Sequence, residues 1–216
     1  MINVAVIDYG MGNLHSVVKS IEAVNDGRAR IQLTADPHAV LKADKVVFPG
    51  QGAMPDCMRE LRAHGLAEAV LEATRNKPFF GICVGAQLLF DSSEEGDTPG
   101  LGLFPGTVRR FAAGQTDAHG DRLKVPHMGW NRVFQCQPHP LFAGIADGER
   151  FYFVHSYHFA PQDPALTLAE SEYPGRFSCI VGRENIFATQ FHTEKSHAAG
   201  LQLMKNFLAW DGTVQP

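Results

Sequence analysis

Gly81-Ile82-Cys83-Val84-Gly85 closes the apolar run Pro78-Phe79-Phe80 with a cysteine held between two glycines. In this glycine-x-nucleophile-x-glycine spacing a strand turns sharply into a helix and leaves the central side chain exposed at the tip. The glycines remove the side chains that would collide in the turn. A helix reading Gly85-Ala86-Gln87-Leu88-Leu89-Phe90 would aim unpaired N–H groups and a positive dipole end at the sulfur, which favours thiolate over thiol. The same five residues would also suit a small buried cysteine between packing glycines. Partners elsewhere in the chain must decide between the two.

A thiolate needs a base and an acid to orient it. Asn185-Ile186-Phe187-Ala188-Thr189-Gln190-Phe191 reads as a strand running into His192-Thr193-Glu194-Lys195-Ser196. On an extended segment, residues two apart point the same way, so His192 and Glu194 are expected to face one site. An imidazole beside a cysteine takes or shares its proton, and a carboxylate behind it fixes tautomer and orientation. A surface His-x-Glu alone is common, but joined to the Cys83 turn it reads as a triad. The third segment is Pro49-Gly50-Gln51-Gly52-Ala53, following the short apolar strand Lys45-Val46-Val47-Phe48. Acyl transfer through cysteine requires donors where the oxyanion develops. The N–H of Val84 would supply one and the Gly50-Gln51-Gly52 backbone another, although Pro-Gly also favours an ordinary turn.

The elements that must position these residues alternate. A strand over Asn3–Asp8 precedes a helical pattern with Leu14, Val17, Val18, Ile21 and Val24 on one face. Arg30–Leu33, Lys45–Phe48 and Pro78–Ile82 read as strands, and Met54–His64 and Leu66–Arg75 as helices. Alternation of this kind implies right-handed crossovers and a largely parallel sheet flanked by helices. From about Thr107 the texture changes to short β-rich runs, Thr107–Phe111, Asn131–Phe134, Arg150–His155, Leu166–Ser171 and Ser178–Val181, expected as antiparallel additions. Ser196 reads as the cap of a last helix carrying Leu201, Met204 and Leu208. Without a linker or repeat, one domain over residues 1–216 is expected. The fold class is α/β, and in open sheets of this class sites lie beyond the carboxyl ends of strands.

Composition narrows the classes of function. The net charge is −4, from 19 basic and 23 acidic side chains, with no basic stripe to hold nucleic acid. Cys57, Cys83, Cys136 and Cys179 form no Cys-x-x-Cys pair, which argues against structural zinc and a disulfide framework and suits a reducing cytoplasm. Met1–Asp8 has no basic region ahead of its apolar residues and reads as a core strand rather than a signal peptide. No segment approaches the roughly 20 apolar residues of a membrane span. His155-x-x-His158 has metal-like spacing, but a strand would put those side chains on opposite faces.

The set Pro49-Gly50-x-Gly52, Gly81-x-Cys83-x-Gly85-x-Gln87 and His192-x-Glu194 resembles the class I (triad) glutamine amidotransferases. Asp8–Leu14, Leu89–Gly96, Gly100–Gly106, Lys124–Asn131 and Phe151–Tyr157 narrow that resemblance to the glutaminase subunits of imidazole glycerol phosphate synthases. The resemblance covers nearly the whole chain, and Pro126-His127-Met128-Gly129-Trp130-Asn131 is its most discriminating block. It implies a flavodoxin-like fold, Cys83, His192 and Glu194 as catalytic residues, and glutamine held by Gln87 and by backbone near Gly52 and Ser156-Tyr157. It also implies no cofactor or metal, and a separate (β/α)8 cyclase subunit as partner in a heterodimer, with Asn13, Trp130, Asn131 and Lys195 facing it. Read as residues alone, Gln87 is equally a polar helix residue, Tyr157 a packing residue, and Trp130 a core residue or an interface anchor.

Three positions depart from the family pattern. Thr193 stands where proline usually separates the triad residues, Gln51 where a small apolar residue is frequent, and His158 where a tyrosine is. Two other readings remain open. One is a related cysteine hydrolase, or a glutaminase serving another synthase such as anthranilate or guanylate synthesis, which the Pro126–Asn131 block opposes. The other is a nucleotide module on Gly10-Met11-Gly12, where His15 occupies the place of the third glycine.

Overall fold

The computed structural model describes residues 1–116 and 120–214. Four short apolar runs form its centre. β1 (Ile2–Ile7) is followed by α1 (Leu14–Glu22), β2 (Ala29–Thr34), α2 (Pro37–Lys42) and β3 (Lys45–Gly50). Then come α3 (Met54–Ala63), α4 (Ala67–Ala73), β4 (Phe79–Cys83) and α5 (Val84–Gln87). Every residue of β3 and β4 is buried, the pattern of parallel strands covered on both faces. Leu14, Val17 and Ile21, spaced three and four apart, form the buried face of α1.

The remainder is richer in strands. β5 (Phe90–Ser93), β6 (Thr98–Pro99), β7 (Phe104–Arg110), β8 (His127–Gln135) and β9 (Glu149–His155) come first. They are followed by β10 (Tyr157–Pro161), β11 (Thr167–Glu172), β12 (Arg176–Arg183), β13 (Ile186–Thr189) and α6 (His197–Ala209). One path through the sheet runs β2-β1-β3-β4-β13-β12-β10-β7-β5-β6, while β11, β8 and β9 branch from it. Neighbours from β2 to β13 are parallel, and β12, β10 and β7 are antiparallel additions. The expected class is therefore observed, with β5 against β7 a further parallel pair.

Register delivers the site. Gly50 pairs with Cys83 at the ends of β3 and β4, and Ile82 pairs with Thr189 at the end of β13. Three adjacent parallel strands thus release the Gly50 loop, Cys83 and the segment leading to His192 at one edge of the sheet.

Two local expectations are corrected. The helix after Cys83 stops at Gln87 instead of reaching Phe90. The carbonyls of Leu88, Leu89 and Phe90 accept hydrogen bonds from Leu101, Leu103, Phe104 and Gly102 across the chain, so none is free to continue a helix. Ser196 sits at the N-cap of α6, yet its hydroxyl makes no capping bond. It donates to the His192 carbonyl (2.6 Å) and accepts from the Tyr152 N–H (3.0 Å), tying the end of the triad segment to β9. Among the described residues no helix is long and apolar enough to cross a membrane.

Lys45, buried at the start of β3, closes the far end of α6 by donating to the carbonyls of Phe207 (3.0 Å), Leu208 (2.8 Å) and Trp210. A lysine here satisfies carbonyls that a helix end leaves unpaired. Lys45→Met should lower stability by about 2–4 kcal/mol, because it strands buried acceptors. In urea unfolding the midpoint should fall with an unchanged slope; an unmoved midpoint would show that the clamp carries no stability.

Candidate active site

Cys83 sits at φ +53 and ψ −115, a left-handed conformation that a side chain adopts at a cost of about 1–3 kcal/mol. The backbone around it explains why. A Cβ on Gly85 would lie 2.0 Å from the Phe48 carbonyl oxygen, and one on Gly50 would lie 2.4 Å from the Tyr9 hydroxyl and 2.5 Å from the Gly85 nitrogen. The turn and the Gly50 loop therefore meet backbone to backbone. A Cβ on Gly12 would lie 3.6 Å from the Gln51 nitrogen, so the Gly10-Met11-Gly12 loop buttresses the Gly50 loop. Helix α5 has only four residues, and its dipole is correspondingly a fraction of the one expected.

His192 and Glu194 meet, though by a different route from the one expected. The strand ends at Thr189, and Thr193–Lys195 is a single turn of 3-10 helix rather than extended chain. That turn folds the carboxylate back onto the ring, with Nδ1 of His192 2.8 Å from Oε1 of Glu194 and both side chains buried. Thr193 lies buried in the turn. The His192 N–H donates to the Tyr152 carbonyl (3.0 Å), and Ser196 holds the His192 carbonyl, so the ring hangs from a fixed backbone. Burial alone would push this imidazolium down. The charge of Cys83 and the hydrogen bond to Glu194 outweigh it and raise the group to about 10. Yet Nε2 has no hydrogen-bond partner among the described residues. Ring and sulfur are neighbours without an aligned bond.

Cys83, His192, Val84, Gln51, Gly52, Gln87, Ser156 and Tyr157 line one cavity of about 310 Å³, at the small end of small-molecule sites. Under the Gly50 loop, Tyr9 donates to the Pro49 carbonyl (3.0 Å). Burial pushes the Cys57 thiol up to about 11, so it stays protonated and donates to the Gln51 carbonyl (3.5 Å). Gln87, buried beside Cys83, donates to the Tyr157 carbonyl (3.3 Å) and to Gln190 (3.1 Å). The Tyr157 carbonyl also accepts from His155 Nδ1 (2.7 Å). Because a carbonyl only accepts, that nitrogen carries the proton, and His155 Nε2 must accept from His127 Nδ1 (2.9 Å). His127 Nε2 then accepts from Asn131 (3.2 Å). Both rings are neutral, and burial lowers His127 to about 4 and His155 to about 3. A larger recess of about 920 Å³ beside Arg110, Arg122, Lys124 and Tyr173 contains neither the cysteine nor its base.

Sequence reasoning missed several residues here, Val154 and His155 of the cavity lining among them. Glu95 and Pro126 line the cavity, and Gln190 sits fully buried behind the sulfur. A glutamine inside the apolar run Phe187–Phe191 was the available signal. His158 turns out to be an aromatic packing residue, its ring 4.8 Å from that of Phe111, so the position usually held by tyrosine keeps a ring.

The class-I glutamine amidotransferase family model matches residues 5–210. The chain belongs to the class I glutamine amidotransferases. It is 80% identical over 211 residues to imidazole glycerol phosphate synthase subunit HisH of Chromobacterium violaceum, covering 98% of this chain and 99% of the relative. It is 65% identical over 209 residues to the protein of that name from Neisseria gonorrhoeae, covering 95% and 99%. Among solved structures, a glutamine amidotransferase superposes with TM-score 0.70 at 17% identity, covering 97% of this chain and 99% of the other. PurLQS from Thermotoga maritima gives 0.68 at 17%, with the same coverage. At such identities these two speak for the fold.

The four residues expected at a partner interface lie apart from the cavity. Trp130 is 41% exposed, which decides against a core role; its ring stacks on His197 at 4.9 Å, and Met128 beside it is 63% exposed. Asn131 is half-buried, with its amide spent on the Glu172 carbonyl and His127. Asn13 is exposed before α1, and Lys195 is half-buried in the triad turn of this amidotransferase.

The histidines give the stability of the fold a pH dependence. His127, His139 and His155 are held by burial at or below about 4, against 6.5 unfolded. Below 6.5 the unfolded chain therefore binds protons the native chain refuses, and stability falls as pH drops towards 4. His192, raised to about 10, acts oppositely: its contribution is complete below 6.5 and is lost as pH rises through 10. Urea midpoints measured against pH should peak near neutrality, and His155→Gln should flatten the acid limb; an acid limb unchanged by that substitution would contradict the assignment.

Proposed function

We propose that this chain is the glutaminase subunit of an imidazole glycerol phosphate synthase. It hydrolyses glutamine to glutamate and ammonia through a glutamyl thioester on Cys83. The ammonia passes to a separate (β/α)8 cyclase subunit, which forms imidazole glycerol phosphate and aminoimidazole carboxamide ribonucleotide in histidine biosynthesis. The reading rests on the buried His192–Glu194 pair opening onto the same cavity as Cys83. The name carried by its relatives supports the synthase assignment.

In the first half-reaction the Cys83 sulfur attacks the side-chain amide carbon of glutamine. The carbonyl electrons move onto oxygen, where N–H groups of Val84 and of the Gly50-Gln51 segment receive the charge. The proton on His192 Nε2 passes to the amide nitrogen, the C–N bond breaks and ammonia leaves. Water then adds to the thioester while His192 takes its proton; the C–S bond breaks, glutamate leaves and the thiolate is regenerated. Glu194 holds the ring through Nδ1 across both steps and favours its cationic form. Gly52, Gln87, Ser156 and Tyr157 line the space for the glutamine backbone.

The cyclase would dock against the face that exposes Met128 and Trp130. An exposed tryptophan beside an exposed methionine is the composition of an interface anchor. Asn13, Asn131 and Lys195 complete the proposed contact, and the reaction belongs in the cytoplasm, where thiols stay reduced.

Glutamate release by the pure chain should be slow alone and rise markedly with the cyclase subunit. Cys83→Ala should lose about 10³-fold or more in turnover, and Glu194→Gln less than His192→Ala, because it alters orientation without deleting the base. Full activity in Cys83→Ala refutes the mechanism, and no response to any cyclase refutes the partner.

A further inference from the structure

Gln190 is a fully buried polar side chain that the mechanism above does not use. Its surroundings fix its orientation independently of how an amide is drawn. The Tyr157 carbonyl only accepts, so the Gln87 atom 3.3 Å from it is the nitrogen. That nitrogen only donates, so the Gln190 atom 3.1 Å from it is the oxygen. The remaining Gln190 atom is therefore the nitrogen, and it lies 3.9 Å from the Cys83 sulfur. One backbone carbonyl thus orders two amides in succession and turns an N–H towards the sulfur.

The ordering has a consequence for Gln87. Both of its N–H donors are engaged, one on Tyr157 and one on Gln190, so Oε1 is the atom left to meet a ligand in the cavity it lines. An acceptor there selects a donor on the substrate, such as an ammonium or carboxamide N–H, and disfavours a carboxylate. Without Gln190 the Gln87 amide would keep only the Tyr157 carbonyl to hold it, and the cost of flipping would fall.

We propose that Gln190 is a positioning residue for the glutaminase reaction, holding the Gln87 amide with its acceptor towards glutamine and donating an N–H to the Cys83 sulfur. This rests on the reading of Cys83 as nucleophile and Gln87 as glutamine contact. The donor adds to the stabilisation of negative charge on sulfur that the neighbouring cationic His192 provides.

Two variants separate the two functions. Gln190→Met keeps length and apolar packing but deletes both. Gln190→Glu keeps an oxygen for Gln87 and removes the N–H. Iodoacetamide alkylation of Cys83 in the free chain, followed against pH by peptide mass spectrometry, should show its midpoint raised by about half to one pH unit in Gln190→Met and further in Gln190→Glu, whose carboxylate also repels the thiolate. With the cyclase present, the KM for glutamine should rise about tenfold in Gln190→Met and stay near the parent value in Gln190→Glu. A merely structural residue would lower thermal stability without moving the alkylation midpoint or splitting the KM values. An unmoved midpoint in either variant, or equal KM in Gln190→Met and the parent, overturns the proposal. Alkylation is read without glutamine. Failure of the glutaminase reading, seen as full activity in Cys83→Ala, therefore remains distinguishable from failure of this one.

Discussion

The close approach of Gly85 to the Phe48 carbonyl is the contact on which the rest of the site depends. It presses the turn after β4 against the end of β3 so tightly that no side chain fits between them. At that reversal Cys83 takes a positive φ. That strain costs about 1–3 kcal/mol. Phe48, Phe79 and Phe80, fully buried in the two strands concerned, each contribute about 1.5–3 kcal/mol. Burial wins, and the sheet can hold a reactive side chain in a conformation it would not choose alone.

The same economy recurs around the base. Burying His192 and Glu194 is unfavourable unless each finds a partner, and each finds the other at 2.8 Å. Their outer atoms, Nε2 of His192 and Oε2 of Glu194, have no partner among the described residues. An imidazole nitrogen left over in a cavity that also holds a sulfur is a group reserved for chemistry. Thr193, Ser196 and Tyr152 supply the rigidity that lets it wait there. On the other side of the cavity the Tyr157 carbonyl receives both Gln87 and the His155–His127–Asn131 chain. The glutamine side of the cavity is thereby joined to β8, the strand that exposes Trp130.

What could be read from the sequence followed the range of the interactions involved. The Cys83 turn, the Gly50 loop and the strand-helix alternation each show in the residue types of a few neighbouring positions, although distant contacts hold them. The stop of the helix at Gln87 depends on donors from Leu101 to Phe104, beyond any local pattern. His192 and Glu194 meet through a 3-10 turn that follows an extended cap residue, not through the extended chain that their spacing suggests. Gln190 lies 103 residues from Gln87. Nothing in an apolar run announces that its one amide will be oriented by a carbonyl on another strand. The packing of His158 on Phe111 and the exposure of Trp130 were likewise matters of tertiary context.

The central claim is that strain, base and acceptor converge on one sulfur among four. The direct measurement is to treat the native chain at neutral pH with a diazoketone analogue of glutamine, digest it, and locate the adduct by mass spectrometry. The account requires a single adduct on Cys83, lost when His192 is replaced by Ala and prevented by excess glutamine. Label on Cys57 or Cys179, or labelling of Cys83 indifferent to both His192 and glutamine, would contradict it.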